Sequence, residues 1–272
     1  MTNQAPSMSK SLPTIELGGL RLHALTEEAC IGHILSELKE GRGGWVVTPN
    51  LDHLRRFQHD IDFRALVAQA NLVTADGMPL IWMSRIQGTL LPERVAGSSL
   101  INTLSRAAAR EGMSVFLLGG DPGTAQEAGA ILCQRNPGLR LAGTSCPQIG
   151  PVLEDSTRQR LAAELAAALP DIVFVGLGSP KQERVIANLR GCVPAAWWLG
   201  VGVSFSFVCN RVHRAPVWMQ KLGLEWLHRL WQEPGRLARR YLIEGLPFAA
   251  IMFARCSCRR LFGRPKNWTK SA

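Results

Sequence analysis

The chain has 272 residues, 46% of them hydrophobic, and a net charge of +10. That length allows one large domain, or one domain with an appendage. No uncharged apolar run reaches the roughly 18 residues of a membrane span, and the start, MTNQAPSMSKSLPT, lacks the apolar centre of a secretion signal. Seven dispersed cysteines, only Cys256 and Cys258 being close, fit reduced thiols in a cytosolic protein better than a disulfide framework.

In chain order, TIELGGLRLHAL (14–25) reads as two short strands around a Gly-Gly turn. Residues 27–40 read as a helix with Ile31, Ile34, Leu35 and Leu38 on one face. Apolar runs then alternate with helical patterns. The expected strands are WVVT (45–48), NLVTA (71–75), SVFLLG (114–119), RLAGTS (140–145), DIVFVGL (171–177) and AAWWLGVG (195–202). The segments SSLINTLSRAAAREG and STRQRLAAELAAALP, rich in Ala, Leu and Arg, are good helix formers. Continuous apolar strands separated by helices predict an α/β fold, a Rossmann-like parallel sheet with helices on both faces.

The character changes after residue 210. The whole net charge lies in 211–272, where thirteen Lys and Arg face only Glu225, Glu233 and Glu244. We therefore expect an α/β core over 1–210 and a basic, Trp- and Arg-rich helical appendage over 211–272. RAPVWMQKLGLEWLHRLWQEP predicts one helix with Met219, Leu222, Trp226 and Leu230 on one side and an i,i+4 pair of Glu225 with Arg229; Pro234 marks a break. Trp218, Trp226, Trp231 and Trp268 are half of the eight tryptophans. Tryptophan beside arginine suits a water–lipid boundary, and equally suits ordinary helix packing. The charge asymmetry points to a polyanionic partner, a membrane, a diphosphate or a nucleic acid, or else to a solvated tail.

Ligands of open parallel sheets bind beyond the carboxyl ends of the strands, so the loops there hold the candidates. In GGDPGT, Asp121 reads as a helix N-cap with Pro122 at the first position, and Gly119 and Gly120 leave N–H groups open to an anion. Neither a nucleoside-triphosphate loop nor a G-x-G-x-x-G fingerprint is present. In GLGSPKQE, Ser179, Pro180 and Gln182 fit a capping box. Gly178, Lys181 and Glu183 are left over, and a cation beside open N–H groups suits a diphosphate. Asp60 and Asp62 form a D-x-D that reads better as a helix N-cap than as a metal site. Asp76, in ADGMPL, closes a buried strand before Gly77. If the neighbouring strand is TPNLDHL's, it lies near Thr48 and Asn50. A desolvated carboxylate there is a proton acceptor tuned toward neutrality, and the alternative is a cap on the next helix.

TPNLDHL, ADGMPL, RVAGSSL, FLLGGDPGTAQEA, DIVFVGLGSPKQE, GVGVSFSF, RVHRAPVWMQKLGLEWLHRLWQEP and RLARRYL stand in this order, and together they resemble the WecG/TagA/CpsF glycosyltransferase family from about residue 14 to 245. The resemblance implies an inverting, metal-independent bacterial transferase without a cofactor. Its donor would be a UDP-sugar and its acceptor a polyprenyl-diphosphate-linked saccharide, in cell-surface or exopolysaccharide synthesis. It would be cytoplasmic and peripheral on the anionic inner face of the cytoplasmic membrane, with no nucleic-acid partner; a homo-oligomer is left open. It assigns Asp76 as catalytic base, Thr48 and Gln182 to the same pocket, and Arg229, Arg236 and Arg239 to the diphosphate. Two segments, CPQIGPV and VCNRV, depart from the family pattern, both expected off the core site. The alternatives are a nucleotide-binding oxidoreductase, which lacks its glycine fingerprint, and a non-enzymatic basic membrane adaptor, which leaves the polar strand-end loops unexplained.

Overall fold

The computed structural model describes residues 12–150 and 152–263; the N-terminal segment and Trp268 lie outside the described residues. A short antiparallel hairpin, β1 (Thr14–Leu17) and β2 (Leu20–His23), precedes α1 (Glu27–Lys39). Then follow β3 (Gly44–Val47), α2 (Leu51–His59), α3 (Ile61–Val67), β4 (Leu72–Val73), α4 (Met78–Gln87), α5 (Gly97–Arg110), β5 (Ser114–Gly119) and α6 (Thr124–Arg135). The core ends with β6 (Arg140–Ser145), α7 (Asp155–Ala168), β7 (Ile172–Gly176), α8 (Lys181–Leu189), β8 (Trp197–Gly200) and α9 (Ser204–Val208). The strand and helix expectations hold, with ends shifted by a residue or two.

Six strands form one parallel sheet in the order β4-β3-β8-β7-β5-β6. β3–β4 and β5–β6 each wind outward, and β7 and β8 then fill the gap between them. All six carboxyl ends therefore share one edge, as the parallel pairing requires. The strands of the sheet interior are buried on both faces: Val47, Val173, Val175 and Trp198 enter one apolar cluster, and Val46, Ile172, Phe174 and Trp197 the other. At about 25 cal/mol per Å² of apolar surface, side chains of this size make the two-sided burial the main stabilising contribution. The expected face of α1 packs into the second cluster, through Ile34 with Ile31, Leu35 and Leu38 around it.

The C-terminal part departs from the single long helix expected. α10 (Val217–Lys221) and α11 (Glu225–Gln232) are separate. They are broken at Gly223, whose φ of +68° suits glycine alone, and whose absent Cβ would stand 2.6 Å from Met78 Cβ and 2.7 Å from the Trp82 ring. The chain thus turns where it must press against α4. Pro234 does mark a break and opens α12 (Pro234–Ala238), which runs through a π-helical stretch, Arg239–Gly245, into α13 (Leu246–Phe262). The segment Arg239–Phe262 is long and apolar enough by length and composition to cross a membrane, a point the search for uncharged runs passed over because Glu244 and Arg255 interrupt it. Its inner face, however, is fixed to the core. Phe248, Met252 and Cys256 are buried in the same apolar cluster as β1, β3 and α4, Gln58 Nε2 lies 3.5 Å from Met252 Sδ, and Arg259 lies 3.5 Å from Glu16. Its outer face keeps Ile243, Ile251, Leu261 and Phe262 exposed.

The boundary at 210 therefore separates sheet from helices without separating two cores. Met252, 1% exposed, is the central contact of that docking. Met252→Ala is expected to lower unfolding stability by roughly 2–5 kcal/mol, read as a lower urea midpoint, with faster hydrogen exchange along α13 than along α5.

Candidate active site

A cavity of about 890 Å³ opens over the carboxyl edge of the sheet, between the core loops and the C-terminal helices. β4 pairs with β3, so the loops after them run side by side: the Asp76 N–H donates to the Pro49 carbonyl at 2.8 Å, and Thr48, Asn50, Asp76 and Gly77 all line the cavity. Asp76 does not cap α4. Gly77 holds that position and no side chain bonds the helix start. Among the described residues the Asp76 carboxylate has no hydrogen-bond partner, so it is free to face a ligand.

Its charge is set by what surrounds it. Burial pushes Asp76 up to about 6, the Arg94 guanidinium opposes this, Glu225 adds to it, and His53 and Arg214 oppose it. Arg94 lies in RVAGSSL, before α5. Its Nη1 is 2.5 Å from Glu225 Oε2 and its Nη2 3.4 Å from Gln220 Oε1. Glu225 also receives Arg214 Nε at 3.4 Å. Burial by itself would raise Glu225, but Arg94 and Arg214 outweigh it and hold the carboxyl below the usual range. The expected Glu225–Arg229 pair is thus replaced by pairs that tie α11 to the core. Arg229 instead lies over the Phe207 ring, 6.0 Å from its centre, and lines the cavity.

A second network joins three strand-end loops in the cavity wall. Asn50 caps α2: its Oδ1 accepts the Asp52 and His53 N–H groups at 3.0 and 3.1 Å and stands 2.7 Å from His53 Nδ1. His53 Nε2 is 3.6 Å from Glu183 Oε1, which accepts Gln182 Nε2 at 3.1 Å. Gln182 Oε1 accepts the Gly202 N–H at 3.1 Å. This crossing needs glycine at position 200, since a Cβ there would stand 2.5 Å from Gln182 Nε2. Burial would raise Glu183, but His53 and Gln182 outweigh it and hold it low. The capping box expected at the start of α8 is absent. Pro180 occupies the cap after a cis Ser179–Pro180 bond, the Ser179 hydroxyl is buried without a partner, and Gln182 has turned to bridge β7 and β8.

The remaining predicted residues divide. Gly120, Gly178 and Gln182 line the cavity, whereas Gly119, Lys181 and Glu183 do not. Lys181 Nζ donates to the Ile149 carbonyl at 3.0 Å, so CPQIGPV engages the predicted cation. The Gly120 N–H is not open to an anion, because it donates to the Gly176 carbonyl at 2.8 Å. Asp121 does not cap α6 through its side chain; Gly123 is the cap, and Asp121 Oδ2 accepts from Ser206 at 3.3 Å. Val212, in VCNRV, lines the cavity, contrary to expectation. Arg239 points to solvent and pairs with Glu244 at 3.4 Å; its neighbour Arg240 lines the cavity. The Arg236 side chain lies outside what the structure describes. Asp60 caps α3 through the Phe63 N–H at 2.9 Å. Among the described residues no three His, Cys, Asp or Glu side chains gather as metal ligands would.

Sequence reasoning did not single out Arg94, Arg214, His53, Gln220 or Arg240. The motif strings contain all five, but only the fold brings them together.

The chain matches the model of the glycosyl transferase WecG/TagA/CpsF family over residues 15–261, and it belongs to that family. This is a glycosyltransferase family of cell-surface polysaccharide synthesis, which implies in general a nucleotide-sugar donor and a lipid-linked acceptor. The oxidoreductase and adaptor alternatives give way to it.

The raised Asp76 has a thermodynamic consequence. Its folded pKa of about 6 lies above the ordinary 3.8, so ionisation weakens the fold as pH rises through that interval. Asp76→Asn is expected to be more stable than the parent at pH 8, by roughly 1–3 kcal/mol. The advantage should shrink as pH falls from 6 toward 4, checked by denaturation midpoints at several pH values.

Proposed function

We propose that the chain is an inverting, metal-independent glycosyltransferase that moves a hexosyl or N-acetylhexosaminyl group from a UDP-sugar onto a polyprenyl-diphosphate-linked saccharide. The observation that carries this reading is the Asp76 carboxylate, unbonded in the cavity and raised to about 6. A carboxylate in that state is ionised at neutral pH yet basic enough to accept a hydroxyl proton.

The step is a single displacement. The acceptor oxygen attacks the anomeric carbon from the face opposite the leaving group, its proton passes to Asp76, and the bond to the β-phosphate oxygen breaks with its electron pair leaving on uridine diphosphate. One displacement inverts the centre. The leaving charge needs cations: Arg94 and Arg229 line the cavity, and Arg214 supports Arg94 through the shared Glu225. Thr48, one residue beyond β3, and the Gln182 bridge hold the pocket's shape, and Asn50 and His53 fix α2 beside Asp76. With guanidinium groups serving the diphosphate, no divalent ion is required by the step.

The C-terminal helices suit a peripheral position on an anionic bilayer. Trp231 is 88% exposed, Ile243 70% and Phe262 83%, on helices within the basic segment 211–272. Each Lys or Arg near such a surface contributes on the order of 1 kcal/mol, and the exposed apolar side chains enter the headgroup layer. The docked inner face of α13 favours a helix lying in the interface over one crossing it.

Asp76→Asn is expected to fold and to lose about 10²–10⁴ in kcat, measured as release of uridine diphosphate with a lipid-linked monosaccharide. In the parent, log kcat/KM should rise with unit slope up to about pH 6 and then level. Near-parental turnover by the variant would remove Asp76 from the role. Binding to phosphatidylglycerol vesicles should weaken as salt rises; binding that does not change with salt would leave only the apolar contacts.

A further inference from the structure

One end of the cavity takes no part in the step described above. It is lined by Asp52, Arg55 and Arg240, and then by Leu246, Ala249 and Phe253. Arg240 Nη2 donates to Asp52 Oδ2 at 2.7 Å. Arg55 Nη2 donates to Glu244 Oε2 at 2.6 Å and lies 3.4 Å from Asp52 Oδ1. Arg56 stands 3.6 Å from Asp52. With Arg239, which pairs with Glu244 from the solvent side, four guanidinium groups share two carboxylates, and the cluster keeps an excess of positive charge. Both acids are needed to hold the arginines, yet they do not saturate them. Nε of Arg55 and of Arg240 is buried without a partner, and among the described residues neither Nη1 has one.

The wall beside this cluster is apolar and leads outward. Leu246 lines the cavity and is 49% exposed, next to the exposed Leu242 and Ile243. A strong anion site that opens along apolar side chains to the surface matches an amphiphile with an anionic head on a hydrocarbon chain. It matches a nucleotide poorly, because the base and ribose need polar partners. We infer that this end of the cavity is the acceptor's diphosphate subsite: Arg55 and Arg240 hold the diphosphate, and Leu246, Ala249 and Phe253 receive the first isoprenoid units. The inference rests on the transferase reading and adds to it where the acceptor binds. Arg55 and Arg240 are binding residues here, with no part in the proton transfer. α2 connects the two functions, since Asp52 and Arg55 lie on the helix that Asn50 caps, close to Gly77 and the base.

The test uses the full chain, farnesyl diphosphate as a soluble probe, and uridine diphosphate as the donor-side probe, each followed by calorimetry. Farnesyl diphosphate should bind saturably, and still bind when uridine diphosphate is saturating. Arg55→Gln and Arg240→Gln should each weaken it about tenfold or more, Arg240→Lys less, and uridine diphosphate affinity should stay within about twofold of the parent. Leu246→Asp should weaken farnesyl diphosphate and leave inorganic diphosphate unchanged. Thermal melts accompany each variant, and Arg55→Gln carries the test should Arg240→Gln unfold. No binding of farnesyl diphosphate by the parent, mutual exclusion with uridine diphosphate, or indifference to both Gln variants would overturn the subsite. Equal affinity for inorganic and farnesyl diphosphate would reduce it to a free-phosphate site, and competition by phosphatidylglycerol vesicles to a membrane headgroup site; either overturns the inference. Loss of uridine diphosphate binding alone, with farnesyl diphosphate still sensitive to Arg55 and Arg240, would count against the transferase reading and leave the lipid-diphosphate site standing.

Discussion

The structure depends on removing one carboxylate from water without pairing it. Every other acid that reaches the cavity's charged clusters is matched with guanidinium groups: Glu225 by Arg94 and Arg214, Asp52 by Arg240, Arg56 and Arg55. Both are held below the ordinary carboxylate range, whereas Asp76 rises. Burial opposes ionisation at all three, and the difference lies in direct ion pairing: Glu225 and Asp52 touch arginines, whereas Asp76 feels Arg94 without a contact. Arg94 spends its donors on Glu225 and Gln220 and acts on Asp76 only through space. A direct Arg94–Asp76 bond would pull the carboxyl down and remove its basicity. Glu225, brought in by α11, therefore does two things: it anchors the C-terminal helices, and it keeps Arg94 from bonding Asp76, the carboxylate proposed as base.

Much of the fold was legible because parallel strands buried on both faces read as continuous apolar runs, and SVFLLG, buried at every position, matches its strand end to end. Asp76 was legible for the same reason, as a lone acid at the end of such a run. What escaped was set by partners distant in sequence. Nothing near Glu225 announces a bond to Arg94, 131 residues away, and helical spacing offered Arg229 in its place. The Ser179 cap failed because Gln182 is drawn to Gly202 across the sheet, a pull that local capping rules do not contain. The helix break at Gly223 was invisible to periodicity because its cause is the α4 surface. The resemblance to the family placed Arg229 in the cavity, but it did not distinguish Arg239, turned to solvent, from Arg240, turned inward.

The C-terminal helix serves two solvents at once. Phe248, Met252 and Cys256 satisfy the protein core, and Ile243, Ile251 and Leu261 remain on the outside. An exposed apolar stripe carries an aggregation penalty unless something covers it, and the thirteen basic residues of 211–272 are the reason the proposed cover is an anionic one. Such an arrangement fixes orientation as well as attachment. α13 packs against β1, β2 and α4, and Leu246 at its start both lines the cavity and is exposed, so on the proposed reading the bilayer lies beside the cavity.

That geometry bears on how two anionic substrates could share one cavity. Two diphosphates brought together repel, and a single cluster of free arginines would bind whichever arrived first. Here the cations are divided between two acid-anchored groups, Arg94 and Arg214 around Glu225, and Arg55, Arg56 and Arg240 around Asp52 and Glu244. Each group keeps its arginines placed without ligand, because a buried guanidinium with no counter-charge is costly. Each ligand must then compete with a resident carboxylate, which lowers affinity but preserves discrimination between the two ends. Asp76 lies on the β4 loop, against the Asn50 cap from which α2 carries Asp52 and Arg55, while Arg94 stands on the opposite approach through α5. On the proposed reading, one cation group serves the leaving diphosphate and the other the acceptor, while Asp76 takes the acceptor's proton, and a single in-line displacement needs those three functions kept apart.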